Sequence, residues 1–231
     1  MKSTSIITLL YQLKTADTSI AVLPYPSSDY LGIDLSTAAP DLEQLDLTDA
    51  TAMEKYIMFY CQQQGAKVAY GGYLEHRNLY KRSTHFNQQD ERTERNIHLG
   101  IDFWVAAATP VIAPLSGVVH SFQDNMGLGN YGPTIILEHN VKGTVFYSLY
   151  GHLSRGSLER VEIGQMIKAG QEFATLGTAA VNGNYAPHLH FQLILDLEGQ
   201  QGDYPGVCSQ QDVVFYQRNC PNPMLLLSSL G

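Results

Sequence analysis

With 231 residues and 44% hydrophobic content, the chain carries enough apolar side chain for one good core and a small second lobe. Its formal charge of −8, with 14 lysines and arginines, argues against nucleic acid and anionic membranes as partners, because both demand a clustered basic surface. Three cysteines, Cys61, Cys208 and Cys220, are too sparse and too widely spaced for a disulfide framework or a cysteine-held metal, so buried or free thiols are expected.

The N-terminus superficially resembles a signal peptide, with Met1-Lys2 ahead of Ile6 to Leu10. Gln12 and Lys14 interrupt the apolar run, and no small-x-small cleavage site follows closely. No stretch approaches the ~20 apolar residues of a membrane span, so a first strand or short helix is expected, with the cytoplasm as default location and the periplasm or exterior as alternative. Ser19 to Leu23 and Leu31 to Leu35 read as short strands separated by Pro24-Tyr25-Pro26. Thr51-Ala52-Met53-Glu54 fits a capping box, Met53, Tyr56, Ile57 and Tyr60 recur at helical spacing, and Gly65 suits the helix end. The polar stretch from Glu75 to Asn96 holds Arg77, Arg92 and Arg95. These arginines either belong to a solvated loop or line a cleft and bind a substrate carboxylate through a planar guanidinium.

From about residue 98 the pattern becomes short apolar runs punctuated by glycine and proline. They cover Val111 to Ala113, Gly117 to Phe122, Thr134 to Glu138, Val145 to His152, Gln165 to Ile167, Glu172 to Leu176 and Leu189 to Leu195. Strands at this spacing predict a mainly β chain with a small α+β N-terminal part, built on an antiparallel β-sandwich or barrel-sandwich hybrid core. The expected division is an N-terminal segment over 1–94, a core over 95–200 and a C-terminal extension over 201–231. Gln123 to Pro133, with Gly127, Gly129 and Gly132 and no Gly-Lys-Ser/Thr, reads as a hairpin rim and not a phosphate loop. Lys168 lies at a turn, as the modified lysine of a biotinyl or lipoyl carrier would, but lacks the Met-Lys-Met type of tip.

Three short motifs carry chemistry: His98 with Asp102 four residues on, Gly151-His152-Leu153, and His188-Leu189-His190. In an extended strand residues at i and i+4, or i and i+2, share a face, so both pairs can converge on one ion. A hydrolytic zinc needs about three nitrogen or oxygen ligands and an open position, and four histidines plus one carboxylate exceed that need. Two imidazoles remain to hydrogen-bond water or a developing oxyanion. Ile97, Ile101, Phe103 and Val105 around the first motif, and Phe191, Leu193 and Ile194 around the last, favour strands over the helical H-E-x-x-H arrangement. His76, His85, His120 and His139 read as ordinary surface or half-buried residues. Tyr150 shares the face of His152 on the expected strand and is a candidate oxyanion donor, with Tyr147 on the opposite face.

At these residues, from about Arg95 to Leu197, the chain resembles the lysostaphin-type (LytM-type) zinc metallopeptidases, whose signature is H-x-x-x-D, a G-H-L segment and H-L-H. The resemblance implies His98, Asp102 and His190 as ligands of one zinc per chain, and His152 and His188 as the catalytic pair. It is the resemblance, not the spacing, that separates His190 from His188. It implies a zinc-dependent hydrolase of peptide bonds, with a peptidoglycan endopeptidase activity and a peptide or muropeptide as substrate. The alternatives are a non-catalytic or regulatory module that binds wall peptides or a partner hydrolase, and a hydrolase of a small non-wall amide. The last is suggested by the tail from Asp203 to Pro223, which resembles a peptidase-like segment embedded in larger multidomain proteins.

Overall fold

The computed structural model describes residues 2–16, 20–39, 42, 45–78, 92–227 and 230. Helix α1 (Lys2–Ala16) opens the chain, realising the helical option for the N-terminus at greater length than expected. Its Ile6, Leu9 and Leu10 pack into the main core with Leu226 and Leu227, and Lys14 donates to the Met224 carbonyl at 3.2 Å, so the two chain ends meet. Of the first predicted strand, Ser19 lies outside the described residues. Ile20, Val22 and Leu23 are buried but not in a strand, because Pro24 and Pro26 cut the run short; the Val22 carbonyl accepts from Ile112 N–H at 2.9 Å. Strand β1 (Tyr30–Gly32) covers the start of the second predicted run, and β2 (Val68–Gly71) pairs with it in parallel.

Helix α2 (Ala50–Gln63) lies where the apolar spacing put it and buries Ala50, Met53, Ile57 and Cys61. Its cap is Asp49, whose carboxylate accepts from Thr51 and Ala52 N–H, and not the Thr51 capping box; a carboxylate at the true N-terminus out-competes a hydroxyl two residues later.

Next in the chain, the first motif lies on β3 (Arg95–His98) and β4 (Ile101–Trp104). The seven apolar runs predicted as strands after residue 98 are present as β5 (Pro110–Ile112), β6 (Gly117–Asn125), β7 (Gly132–Val141), β8 (Thr144–Gly151), β9 (Met166–Ile167), β10 (Glu172–Thr175) and β11 (His188–Ile194). Strand β12 (Val207–Ser209) lies outside the predicted runs, and a short helix α3 (Arg155–Leu158) falls between β8 and β9 and α4 (Val213–Asn219) after β12. The core is a mixed sheet in the order β1-β2-β4-β11-β8-β7-β6-β9, antiparallel except for β1–β2, with small sheets β5–β10 and β3–β12 beside it. The fold is mainly β with a small α+β N-terminal part.

Period-2 alternation along β11 decides where chemistry can sit. Leu189, Phe191 and Leu193 enter the main core with Ile135, Phe146 and Tyr150, while His188, His190 and Gln192 face the other way. On β4, Ile101 and Phe103 enter the same core, and Asp102 joins the histidine face through its register with His190. The β3–β12 pair, Tyr204 and Cys220 form a second cluster beside that face with Leu149 and Ile194.

Candidate metal centre

His98 and Asp102 are not on one continuous strand, as the i, i+4 reasoning supposed. The chain breaks at Leu99-Gly100 between β3, which pairs with β12, and β4, which pairs with β11 and β2. The break still delivers both side chains to one point. His98 Nε2 lies 2.9 Å from His190 Nδ1 and 3.3 Å from Asp102 Oδ1, and His190 Nδ1 lies 3.1 Å from the same oxygen. This trio is the grouping of three or more His, Cys, Asp or Glu side chains able to hold an ion among the described residues.

The proton bookkeeping of the trio points to a cation. His98 Nδ1–H donates to the Gly72 carbonyl at 2.9 Å, an oxygen that can only accept, so Nε2 is bare. The Gln192 amide nitrogen donates to the Pro205 carbonyl (3.1 Å) and to Cys220 Sγ (3.3 Å), which turns its oxygen to His190 Nε2–H at 2.9 Å and leaves His190 Nδ1 bare. Burial pushes His98 down to about 4. Burial pushes the Asp102 carboxyl up, but facing His98 and Arg77 more than reverse this and hold it well below the usual carboxylate range. Two lone pairs and a carboxylate oxygen therefore converge. Ligands at 2.0–2.1 Å in a tetrahedral site stand roughly 3.3 Å apart, so the residues fit a small divalent ion with modest adjustment.

His152 and His188 complete the cleft, with ring centroids 4.1 Å apart. His152 Nδ1–H donates to the Asn182 carbonyl at 2.9 Å and His188 Nδ1–H to the Ala186 carbonyl at 2.8 Å, so each keeps Nε2 as an acceptor. His188 Nε2 lies 3.9 Å from Asp102 Oδ1. Burial pushes both imidazoles below their ordinary value; at His188 the Asp102 carboxylate is the foremost opposing influence, whereas at His152 the neighbouring His188 and His190 add to the downward push. All five predicted residues thus line one cleft of about 250 Å³, with Arg77, Arg95, Tyr131, Tyr185 and Asp203 among its other walls.

Several expectations are corrected here. His152 lies beyond the end of β8 with φ 63°, so strand alternation does not hold between Tyr150 and His152. Tyr150 points into the core, packs on Phe173 and Phe191 and takes a hydrogen bond from Ser148 Oγ; it is no oxyanion donor. The cleft tyrosines are Tyr131, whose hydroxyl lies 3.3 Å from His190 Nε2, and Tyr185, edge-on to His152 and His188. Arg77 is fully buried against Asp102 and Glu75, so it is neither a solvated loop residue nor a free anion receptor. Arg95 reaches the cleft but its Nε donates to the Val207 carbonyl. His139 is buried, not superficial, between the Ser116 carbonyl and Ser148 Oγ, while His85 lies outside the described residues. All three cysteines are free and buried. No helix among the described residues is long and apolar enough to cross a membrane.

Burial holds His98, His139, His152 and His188 neutral, and unfolding returns each to the ordinary value of about 6.5. Below that pH the unfolded chain takes up protons that the folded chain refuses, so stability falls as pH drops from about 6.5 toward 4. Asp102, held low in the fold but at about 3.9 when unfolded, adds to the same fall only below about pH 5. His98 alone accounts for about 2 kcal/mol at pH 5, and a melting temperature of the metal-free chain that stays flat from pH 7.5 to 5 would contradict the assignment.

A buried two-histidine, one-carboxylate pocket with two spare imidazoles on a strand-borne cleft is the donor set of a metal-dependent hydrolase. Residues 96–203 match the model of Peptidase family M23. The chain is 35% identical over 95 residues to an uncharacterized metalloprotease of Haemophilus influenzae, covering 41% of this chain and 18% of that protein. It is 33% identical over 99 residues to the peptidoglycan DD-endopeptidase ShyA of Vibrio cholerae, covering 42% of this chain and 20% of that one. The chain therefore spans about a fifth of the length of these relatives. Among solved structures, the catalytic domain of lysostaphin from Staphylococcus simulans is 29% identical, with 53% of this chain and 80% of that one covered at a TM-score of 0.36.

Proposed function

We propose that the chain is a zinc-dependent hydrolase of peptide bonds, with His98, Asp102 and His190 as ligands and His152 and His188 as the proton-handling pair. The observation that carries the reading is the convergence of three proton-free ligand atoms within 2.9–3.3 Å, beside two further bare Nε2 atoms in the same cleft. When bound, zinc supplies Lewis acidity toward a carbonyl and lowers the pKa of a water to about 7. His188, nearer the Asp102 carboxylate, has its protonated form better supported and takes the proton of the attacking water at Nε2. His152 presents the second acceptor that orients that water, held by Asn182. The relatives named for endopeptidase activity favour a peptidoglycan cross-bridge or stem peptide as substrate.

The test is metal analysis of the purified chain followed by mass spectrometry of digested muropeptides. We expect one zinc per chain and cleavage that a strong chelator abolishes. Chelation should leave the chain folded, since the site joins strands already held by the core. Two tightly bound ions, no zinc after reconstitution, or unfolding on chelation would each overturn the reading.

A further inference from the structure

The groups that hold the ligands include residues outside the family-matched segment 96–203. Just after β2, residues 72–77 pass directly behind the trio. The Gly72 carbonyl accepts from His98 Nδ1–H, and Gly71 is in register with Asp102. Five residues on, the fully buried Arg77 donates through Nη1 to Asp102 Oδ2 at 2.5 Å, the carboxylate oxygen turned away from the trio. Its Nε donates to Glu75 Oε2 at 2.5 Å, and Glu75 Oε1 accepts from Leu35 N–H at 3.0 Å. The guanidinium also lies 5.3 Å from the Trp104 ring, which stacks on His188 at 5.7 Å. Space for this arrangement exists because residue 72 is glycine: at its φ of 109°, a Cβ would lie 1.9 Å from Arg77 Nη2 and 2.9 Å from His98 Nδ1.

Carboxylates bind metal through one oxygen or both, and rotate freely unless the second oxygen is occupied. A planar, permanently charged fork fixes that oxygen in a way a neutral donor or a flexible ammonium does not. We propose that Arg77 is a positioning residue for the metal centre: by holding Asp102 through Oδ2 it keeps Oδ1 aimed at His98 and His190 and so sets metal affinity. This rests on the metal reading above.

The test is zinc affinity by competition with a chromophoric chelator, together with the visible spectrum of the cobalt-substituted chain, for the full chain and for Arg77→Lys and Arg77→Gln. Both variants are expected to bind zinc on the order of 10–100-fold more weakly, the usual effect of removing a partner of a ligating group, and to shift the cobalt bands. If Arg77 only braces the fold, the variants melt at lower temperature but keep wild-type affinity and spectrum, which overturns the proposal. Should neither variant fold, Glu75→Ala leaves the guanidinium in place and removes its second brace; unchanged zinc affinity there also overturns it. A wild-type chain that binds no zinc defeats the metal reading itself, whereas tight wild-type binding with undisturbed variants defeats this inference alone.

Discussion

His190→Ala is expected to lose most of the bound zinc and all turnover, whereas His152→Ala and His188→Ala keep near-stoichiometric zinc and lose on the order of 10²–10⁴ in rate. The asymmetry follows from which nitrogen each ring leaves bare. His190 presents Nδ1 into the trio, 2.9 Å from His98 Nε2 and 3.1 Å from Asp102 Oδ1, so its removal leaves two protein ligands, too few to hold the ion well. His152 and His188 are tied through Nδ1 to backbone carbonyls and offer Nε2 to the cleft, outside the trio. Zinc content and peptide hydrolysis measured on the same three variants decide the matter. Zinc lost from His152→Ala but retained by His190→Ala would reverse the roles, and a chain that only binds peptides would show no split in turnover at all.

Gly100→Ala is expected to damage the centre nearly as much, though the residue carries no side chain. A Cβ there would lie 2.7 Å from His190 Cε1, 2.8 Å from His190 Nε2 and 2.7 Å from the Phe191 carbonyl oxygen. The oxygen belongs to a central strand and cannot retreat, so the imidazole must move and with it the bond from Nε2–H to Gln192. Overpacking of this kind costs typically about 1–3 kcal/mol, and loss of the partner that fixes a ligand's tautomer weakens metal binding about 10–100-fold. Urea unfolding of the metal-free variant and chelator competition on the loaded one measure the two effects. Wild-type values in both would show that the ring has room the contacts deny.

How far the sequence reaches is clearest at these same residues. His188 and His190 were legible because their spacing fits period 2 among apolar flanks, a period β11 obeys strictly, whereas His98, Asp102 and His152 were reached through the three motifs taken together and not through strand spacing. Gln192 lies two residues beyond His190, on the same face by the same rule, so its role was within reach of the argument that found the histidines. The bend at Gly100 and the left-handed His152 were not legible, since each arises from a contact with a strand distant in sequence; the misplaced Tyr150 is the direct result. Nor could spacing reveal Arg77, which reaches Asp102 because β2 joins the sheet beside β4. Long-range pairing of this sort leaves no local periodic trace.

His152 carries a further consequence. Its φ of 63° costs an L-residue about 1–2 kcal/mol, and the position is held by its N–H to the Tyr131 carbonyl, its carbonyl from Gly177 N–H and its ring to Asn182. Glycine would occupy the same backbone without that cost. Backbone ease and the proposed chemistry therefore ask for different residues at one position, and the proton-handling role proposed for His152 gives a reason for histidine there. A programme that hardened this protein by relieving backbone strain alone would be drawn to position 152, and would empty a buried ring from the wall of the cleft.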